Sequence, residues 1–210
     1  MDNVKIELLG HACFKMTFGD WSCVIDPYED GTVDGLDHIE ISANTAMASH
    51  GHHDHSATHL VKMNKMYAPA PEIKKVITYH DDQNGAIKGE NITHVFEYKG
   101  IRIAHFGDLG HILTDKQIEE IGDVDVAMIP TGGNYTIDAE KAKIVSEQVH
   151  ARIVIPMHFR TDTYGFPDVD HLDKFTALCN NVVYSDKSEI VIDKNTPAQT
   201  LVLTPYFLKK

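Results

Sequence analysis

The sequence predicts an α/β fold in which β-sheets are covered by helices, and two observations support this. The first quarter of the chain reads as strands, because KIELLG, ACFKMTFG and WSCVID combine alternating polarity with β-branched and aromatic residues and are separated by turn residues. Farther along, strand-like and helix-like segments alternate. With 210 residues, 42% of them hydrophobic, the chain can bury one sizeable core, so residues 1–210 are expected to form a single domain.

Hydrophobic periodicity and turn signals predict the remaining elements. The predicted strands are Lys75–Tyr79, Ile92–Tyr98, Ile101–Phe106, Asp125–Ile129, Arg152–Ile155, Val182–Tyr184, Glu189–Ile192 and Gln199–Leu203. The predicted helices are Asp115–Ile121, Asp138–His150 and Asp168–Cys179, and a further helix-forming stretch runs from Ser56 to Met66.

Composition and charge argue against several classes of function. A formal net charge of −12 disfavours a nucleic-acid surface, because phosphate binding requires stripes of Lys and Arg. No apolar run approaches the roughly 18 residues of a membrane-spanning helix. The first ten residues lack the apolar core of a secretion signal, which favours a cytoplasmic protein. The three cysteines lack CxxC spacing, so a disulfide framework is not expected.

The internal stretch SHGHHDHS, residues 49–56, contains four histidines and one aspartate. It follows a strand-like segment, and residues two apart on an extended chain point the same way, so His50 and His52 can face one ion. Asp54 and His55 follow where the chain turns and can face a neighbouring point. A solvated metal-scavenging loop is the alternative. The strand before the cluster and the helix-forming stretch after it favour a fixed metal site.

Three further residues could complete a site for two ions. His80 ends the strand KKVITYH, Asp108 follows the strand of IRIAHFGD beside a glycine, and His158 ends ARIVIPMH. Each of these residues alone is more commonly an ordinary loop or core residue. All three stand at strand ends, where a rigid sheet can hold them, so together with the histidine cluster they predict one shared metal site.

The order HGHHDH, YH, GD and MH resembles the metallo-β-lactamase fold superfamily, and LGHACF, IDPY and PTGGNYTID resemble its UlaG-like branch of small metal-dependent hydrolases. The resemblance runs from about Ile6 to His158. It implies a four-layer αββα sandwich with a dinuclear metal site at the edge of the β-sandwich. It also implies three ligands for the first ion, three for the second and one bridge: His50, His52 and His80; Asp54, His55 and His158; and Asp108.

The resemblance also implies roles for residues around the ions. Asp26 would support the loop of the histidine cluster, and Gly132-Gly133 would form a tight turn beside the site. Asp54 is the candidate to exchange a proton during catalysis. The predicted substrate contacts are His11, His111 and Tyr135.

The sequence leaves open the roles of two features next to these residues, one histidine and one segment. His105 shares a strand face with Ile101 and Ile103, so a packed, hydrogen-bonded role behind the ligands and a substrate contact are both compatible with its position. The segment FRTDTYGFPD after His158 is either a short lid, with Arg160 as a positive contact, or a plain surface loop.

Two divalent ions can hold a hydroxide at neutral pH and polarise the oxygen that is attacked. A ligand set of imidazole and carboxylate suits Zn²⁺ without excluding Mn²⁺ or Fe²⁺. The predicted function is therefore a metal-dependent hydrolase with two ions per chain, acting on a small polar or anionic substrate, either a lactone or a phosphodiester. A non-hydrolytic metal-binding protein or a metal-dependent oxidoreductase on the same fold is the alternative. Nucleic acid and membrane are not expected partners, and homo-oligomerisation stays open.

Overall fold

In the computed structural model, which describes residues 3–65 and 67–209, β-strands outnumber helices. The strands are β1 (Val4–Gly10), β2 (Cys13–Phe18), β3 (Trp21–Ile25), β4 (Ser42–Ala43), β5 (Thr45–Met47), β6 (Lys62–Met63), β7 (Glu72–Tyr79), β8 (Glu90–Tyr98), β9 (Ile101–His105), β10 (Val126–Pro130), β11 (Ile153–Met157), β12 (Val182–Tyr184), β13 (Glu189–Ile192) and β14 (Gln199–Val202). The helices are α1 (Asp115–Ile121), α2 (Ala139–Gln148) and α3 (Asp173–Thr176), and a 3-10 turn spans Thr58–Leu60.

Two large sheets pack face to face. The five-stranded sheet has the order β13-β1-β2-β3-β5, the seven-stranded sheet has the order β12-β14-β11-β10-β9-β8-β7, and β4 pairs with β6 separately. Alternation along the strands directs Ile6, Phe14 and Met16 of the first sheet towards Ile103 and Met128 of the second. These side chains are removed from water, and burial of apolar surface contributes about 25 cal/mol per Å² to stability.

The outer faces of the two sheets are covered differently. On the seven-stranded sheet, Ala142 and Val145 of α2 belong to the same buried cluster as Ile129 of β10. On the five-stranded sheet, the covering residues come mainly from the irregular segment that follows β3, where Tyr28 and Leu36 are buried. The fourth layer is therefore mostly irregular chain.

Helix α1 begins where the sequence predicts, and α2 begins one residue later and ends two residues earlier than the predicted Asp138–His150. Thr114 forms a capping box with Gln117 at the start of α1, and Asp138 accepts a hydrogen bond from the backbone of Lys141 at the start of α2. Helix α3 is shorter than the predicted Asp168–Cys179. The residues before it are used elsewhere, since the Asp170 N–H donates to the carbonyl oxygen of Gly132 at 2.6 Å.

The helix predicted from Ser56 to Met66 is wrong over its described part, and Met66 lies outside the described residues. One 3-10 turn is followed by β6, whose Lys62 N–H donates to the carbonyl oxygen of Ile41 at 2.9 Å. Val61 is buried with Ala43 in the cluster under this segment. Tertiary contacts thus override the local helix propensity.

Several chain segments that carry predicted ligands end at one edge of the sandwich. Strands β9, β10 and β11 are parallel, and two antiparallel pairings relate β7 to β9, so the carboxyl ends of all four strands lie at the same edge. His80 follows β7, Asp108 lies three residues beyond β9, and His158 follows β11. Among the described residues, no helix combines the length and the apolar character needed to cross a membrane.

Candidate metal centre

Asp108 lies at the centre of the predicted ligands. Its carboxylate oxygens are 3.1 Å from Nε2 of His55, 3.1 Å from Nε2 of His80, 3.4 Å from Nε2 of His158 and 3.8 Å from Nε2 of His50. A carboxylate with two oxygens and imidazoles on both sides has the geometry of a group that can serve two neighbouring ions.

The other ligands divide into two groups around Asp108. In the first, His50, His52 and His80 place one ring nitrogen each within 4.8 Å of one another. In the second, Oδ2 of Asp54 is 3.3 Å from Nε2 of His55 and 3.8 Å from Nε2 of His158. His50 and His55 also come within 4.8 Å of each other and of Asp108, where the two groups meet. The assignment of ligands to two ions stays a prediction.

His11 joins the second group. Its Nε2 is 3.4 Å from Oδ2 of Asp54, and its side chain has 0% exposure. Its ring centroid is 4.0 Å from that of His158. The structure therefore places His11 against Asp54 with no exposed side-chain surface, and the substrate contact predicted for it stays a prediction.

Several polar atoms of the cluster are buried and have no hydrogen-bond partner among the described residues. They are Nε2 of His55, both ring nitrogens of His80 and of His158, and Oδ1 of Asp108. A buried unpaired polar group costs about 1–3 kcal/mol, so such a concentration requires compensation. Imidazole nitrogens and carboxylate oxygens are ligands of Zn²⁺, and a divalent cation would satisfy them together. The donor set fits a metal site.

Asp26 supports the cluster from inside the sandwich. It follows β3 with a left-handed φ of 53° and accepts hydrogen bonds from N and Oγ of Ser49, both at 2.6 Å. Its Oδ2 also lies 2.8 Å from Nδ1 of His55. Because the Ser49 hydroxyl gives its proton to Asp26, it accepts from Nδ1 of His50 at 3.0 Å. Both imidazoles therefore carry their proton on Nδ1 and present Nε2 to the site.

The backbone around Asp108 is held by Gly107 and Asn91. Gly107 has a φ of 54°, and a Cβ there would lie 2.3 Å from Oδ1 of Asn91 and 2.4 Å from Cβ of Ser49, so only glycine fits. Oδ1 of Asn91 accepts from the Asp108 N–H at 2.9 Å, and its Nδ2 donates to the Phe106 carbonyl oxygen at 2.8 Å. No sequence signal singles out Asn91, because these partners are 15 and 17 residues away.

The predicted turn Gly132-Gly133 lies beside His158. A Cβ on Gly132 would be 2.1 Å from the His158 carbonyl oxygen, so the close approach of the two backbones requires glycine. His158 and His11 both have left-handed backbones, with φ of 51° and 56°. Such conformations cost free energy and are concentrated at functional sites.

The charges in the cluster shift its pKa values. Burial favours the neutral form of Asp108, but the neighbouring His158 and His55 outweigh it and hold the pKa of Asp108 well below its usual value. Burial also works against a charged His158, but Asp108 and Asp54 raise its pKa to about 9. The protein alone thus combines carboxylates with protonated imidazoles. A metal ion would displace these protons, so its affinity must fall as the pH is lowered.

A cavity of about 370 Å³ opens over the ligands. Its volume is near the lower end for ligand pockets, which are about 300–1,000 Å³, and suits a compact molecule. It is lined by four predicted ligands and three other side chains: His52, Asp54, His80 and Asp108, with Lys88, Tyr135 and Phe166. A larger hollow of about 540 Å³ between α2 and β14 is lined by none of these residues.

The two remaining predicted substrate contacts differ in position. His111 does not reach the cavity: its Nε2 accepts from the Tyr79 N–H at 3.1 Å and its Nδ1 donates to the Ile112 carbonyl oxygen at 2.8 Å. The substrate contact predicted for His111 stays a prediction, while both of its ring nitrogens are bonded to the backbone. Tyr135 does line the cavity, but its hydroxyl donates to Asp168, so it presents its ring.

His105 is buried and hydrogen-bonded at both ring nitrogens. Nε2 donates to the Ala12 carbonyl oxygen at 2.9 Å, and Nδ1 accepts from the Gly107 N–H at 3.2 Å. These bonds join the turn that carries His11 to the loop that carries Asp108. Of the two roles left open by the sequence, the structure places His105 in the supporting one.

The segment after His158 reaches the cavity through Phe166. The Phe166 ring centroid lies 5.0 Å from that of His11 and 6.0 Å from that of Tyr135. Arg160 turns away, and its Nε donates to the Val169 carbonyl oxygen at 3.0 Å. Of the two alternatives left open for this segment, neither describes it fully, since it reaches the cavity through the Phe166 ring and not through Arg160.

Comparison with known proteins identifies the class to which this fold and site belong. The family model described as the beta-lactamase superfamily domain matches residues 5–158, a range that includes all seven predicted ligands. A structure from Thermotoga maritima, described as a candidate zinc-dependent hydrolase of the metallo-β-lactamase superfamily, superposes with a TM-score of 0.77 and 33% identity. The superposition covers 95% of this chain and 98% of the Thermotoga maritima chain. The chain belongs to the metallo-β-lactamase superfamily.

Within this superfamily, the chain is similar to proteins named UPF0173 metal-dependent hydrolase. The protein from Natranaerobius thermophilus is 28% identical over 75% of this chain and 84% of its own length. That from Thermoplasma acidophilum is 29% identical over 87% of this chain and 93% of its own length. The predicted family, the αββα fold class and the class of metal-dependent hydrolase are confirmed.

Proposed function

We propose that this protein hydrolyses a small polar or anionic substrate with two divalent ions per chain. His50, His52 and His80 would hold the first ion, Asp54, His55 and His158 the second, and Asp108 would contact both. The observation that carries the proposal is the convergence of buried, unpartnered ring nitrogens on the Asp108 carboxylate. Zn²⁺ is the proposed metal, because the set is imidazole-rich, and Mn²⁺ or Fe²⁺ would fit the same donors.

When bound, such ions supply an activated water and polarise the oxygen of the scissile bond. The protein supplies position and protons. Asp54 has 15% side-chain exposure against 2% for Asp108 and lines the cavity, so it is the ligand carboxylate that a water can reach. Burial would raise its pKa, but the neighbouring imidazoles of His11, His158 and His55 hold the pKa far below its usual value. Asp54 therefore orients water as a carboxylate, and His11 fixes its orientation.

The cavity limits the substrate. Tyr135 and Phe166 line the cavity beside the ligands, and its volume of about 370 Å³ suits a compact molecule. A lactone or a phosphodiester of low molecular mass is the proposed substrate. Assignment to the UlaG-like branch, a cytoplasmic location, independence from nucleic acid and any homo-oligomer stay predictions from the sequence.

Reconstitution of the metal-depleted protein with Zn²⁺ or Mn²⁺ tests this proposal. Metal analysis should find two ions per chain, and hydrolysis of an aryl phosphodiester or a lactone should depend on them. His80→Ala should lose metal and activity. His59→Ala is the matched control, because His59 lies near the cluster with 64% side-chain exposure. At most one ion in the wild type would refute the dinuclear site. Two bound ions with no hydrolysis would favour the non-hydrolytic alternative.

A further inference from the structure

The loop between β7 and β8 is organised around the buried carboxylate of Asp81. This carboxylate accepts backbone hydrogen bonds from Gln83 at 2.8 Å, Gly85 at 2.9 Å, Ile87 at 2.9 Å and Lys88 at 2.7 Å. Four backbone N–H groups that donate to one carboxylate give the loop a defined shape. The last of them fixes the backbone of Lys88, whose side chain lines the cavity over the ligands.

The Lys88 ammonium joins two loops at the cavity wall. It donates to the carbonyl oxygens of Asn134 at 2.8 Å and Tyr135 at 3.1 Å, and it lies 5.6 Å from the centroid of the Tyr135 ring. An ammonium has three donors, so one remains for another acceptor. Across residues 3–65 and 67–209, no carboxylate oxygen lies within ion-pair distance of it. The positive charge is therefore held by neutral acceptors and remains uncompensated.

Other side chains that could bind an anion here are committed elsewhere. Both nitrogens of His111 are used by the backbone, the Tyr135 hydroxyl is used by Asp168, and Arg160 points to the Val169 carbonyl. Within the described part of the chain, Lys88 is the one lysine or arginine that lines this cavity. A half-buried ammonium without a nearby carboxylate, such as that of Lys88, can bind an oxyanion well. The hydrogen bond between them is charge-assisted and therefore stronger than a neutral one.

We propose that Lys88 binds a compact oxyanion of the substrate, a carboxylate or a phosphate, beside the hydrolytic ions. This proposal rests on the proposed hydrolase function and narrows its substrate class from polar to anionic molecules. The substrate is then either a lactone that carries a carboxylate or a phosphodiester whose own charge contacts Lys88. The aromatic faces of Tyr135 and Phe166 would contact its apolar part.

Inorganic phosphate is the binding probe, titrated calorimetrically into the metal-reconstituted protein. Lys88→Gln should weaken phosphate binding roughly tenfold or more, the range for a hydrogen bond to a charged group. Lys88→Arg should restore most of the affinity. Lys116→Gln is the matched control, because Lys116 is 86% exposed on α1 and distant in the fold from the cavity. Metal content and thermal unfolding are measured for every variant.

A matched pair of 4-nitrophenyl esters gives a second measurement. The mono-succinate carries a carboxylate and the butyrate does not, so Lys88→Gln should raise the ratio of KM for the succinate to KM for the butyrate roughly tenfold. Equal phosphate affinity in Lys88→Gln and wild type, with metal content intact, would overturn the anion subsite and leave the hydrolase proposal standing. Failure of the wild type to hold two ions would instead overturn the proposed function.

Discussion

The ligand cluster and the cavity wall are adjacent regions that the chain builds in different ways. The predicted ligands lie just after strands or in the loop that follows β5. Buried hydrogen bonds hold them in place, such as those between Asp26 and His55 and between Asn91 and the Asp108 backbone. The wall residues Lys88 and Phe166 come from loops, and they are held by loop-to-loop contacts. Under the proposed function, the ligand cluster would carry out the chemistry and the loops of the cavity wall would select the substrate.

This contrast predicts two separable classes of variant. A change in the ligand cluster should alter metal content, because several of its buried ring nitrogens and Oδ1 of Asp108 have, among the described residues, no hydrogen-bond partner that could replace an ion. A change in the wall should alter substrate binding while the metal stays in place.

The largest effect is expected for Asp108→Ala. Removal of the carboxylate shared by both ligand groups should abolish binding of at least one ion and reduce activity by more than the roughly 10–100-fold that loss of a supporting residue costs. His105→Ala is the comparison variant, since His105 bonds the backbone of Ala12 and Gly107 and not the ligands.

Metal content by mass spectrometry, together with thermal unfolding of the metal-free forms, separates the two variants. His105→Ala should mainly lower the unfolding temperature, because it leaves two buried backbone groups unpaired. Equal metal loss in both variants would break the distinction between ligand and support.

A smaller effect is expected for Phe166→Ala in the wall. Loss of the aromatic contact should raise KM several-fold, up to about tenfold, because burial of an aromatic side chain is worth about 1.5–3 kcal/mol and only part of that is made with the substrate. Metal content should not change. Tyr206→Ala, which removes an aromatic ring that is 58% exposed, is the control. Metal loss in Phe166→Ala would show that wall and cluster are not separable.

The smallest effect concerns His94, which is buried in the sandwich as the cross-strand partner of His105 and is neither a predicted ligand nor a residue of the cavity wall. Burial lowers the pKa of His94 to about 4 from 6.5, so the unfolded chain binds a proton between pH 6.5 and 4 that the folded chain does not. The contribution of neutral His94 to the free energy of unfolding is fully present above pH 6.5 and is lost as the pH falls towards 4. Urea unfolding should therefore show a smaller loss over this range in His94→Leu than in the wild type. An identical loss in both proteins would mean that His94 is not a source of acid sensitivity.

Much of the fold follows from local sequence pattern. The bounds of α1, β12 and β13 are those predicted, because short periodic segments bounded by caps and turns carry their own signal. The stretch from Ser56 does not adopt the helix that its local sequence favours. Burial of Val61 beside Ala43 stabilises a 3-10 turn and a strand there instead. Helix α3 is shortened for a similar reason, because the Asp170 backbone is bonded to Gly132.

From the sequence, seven candidate ligands could be named, because a histidine-rich stretch and residues at predicted strand ends together resemble the pattern of a known superfamily. The extended chain expected at His50 and His52 is not what the structure shows, since residues 49–55 form bends and turns. Only the tertiary structure decided what each neighbouring polar group does. His111 is bonded to a backbone N–H 32 residues away, and Lys88 reaches carbonyls 46 and 47 residues away. Such bonds depend on how separate loops meet, and no local pattern of residues specifies that meeting.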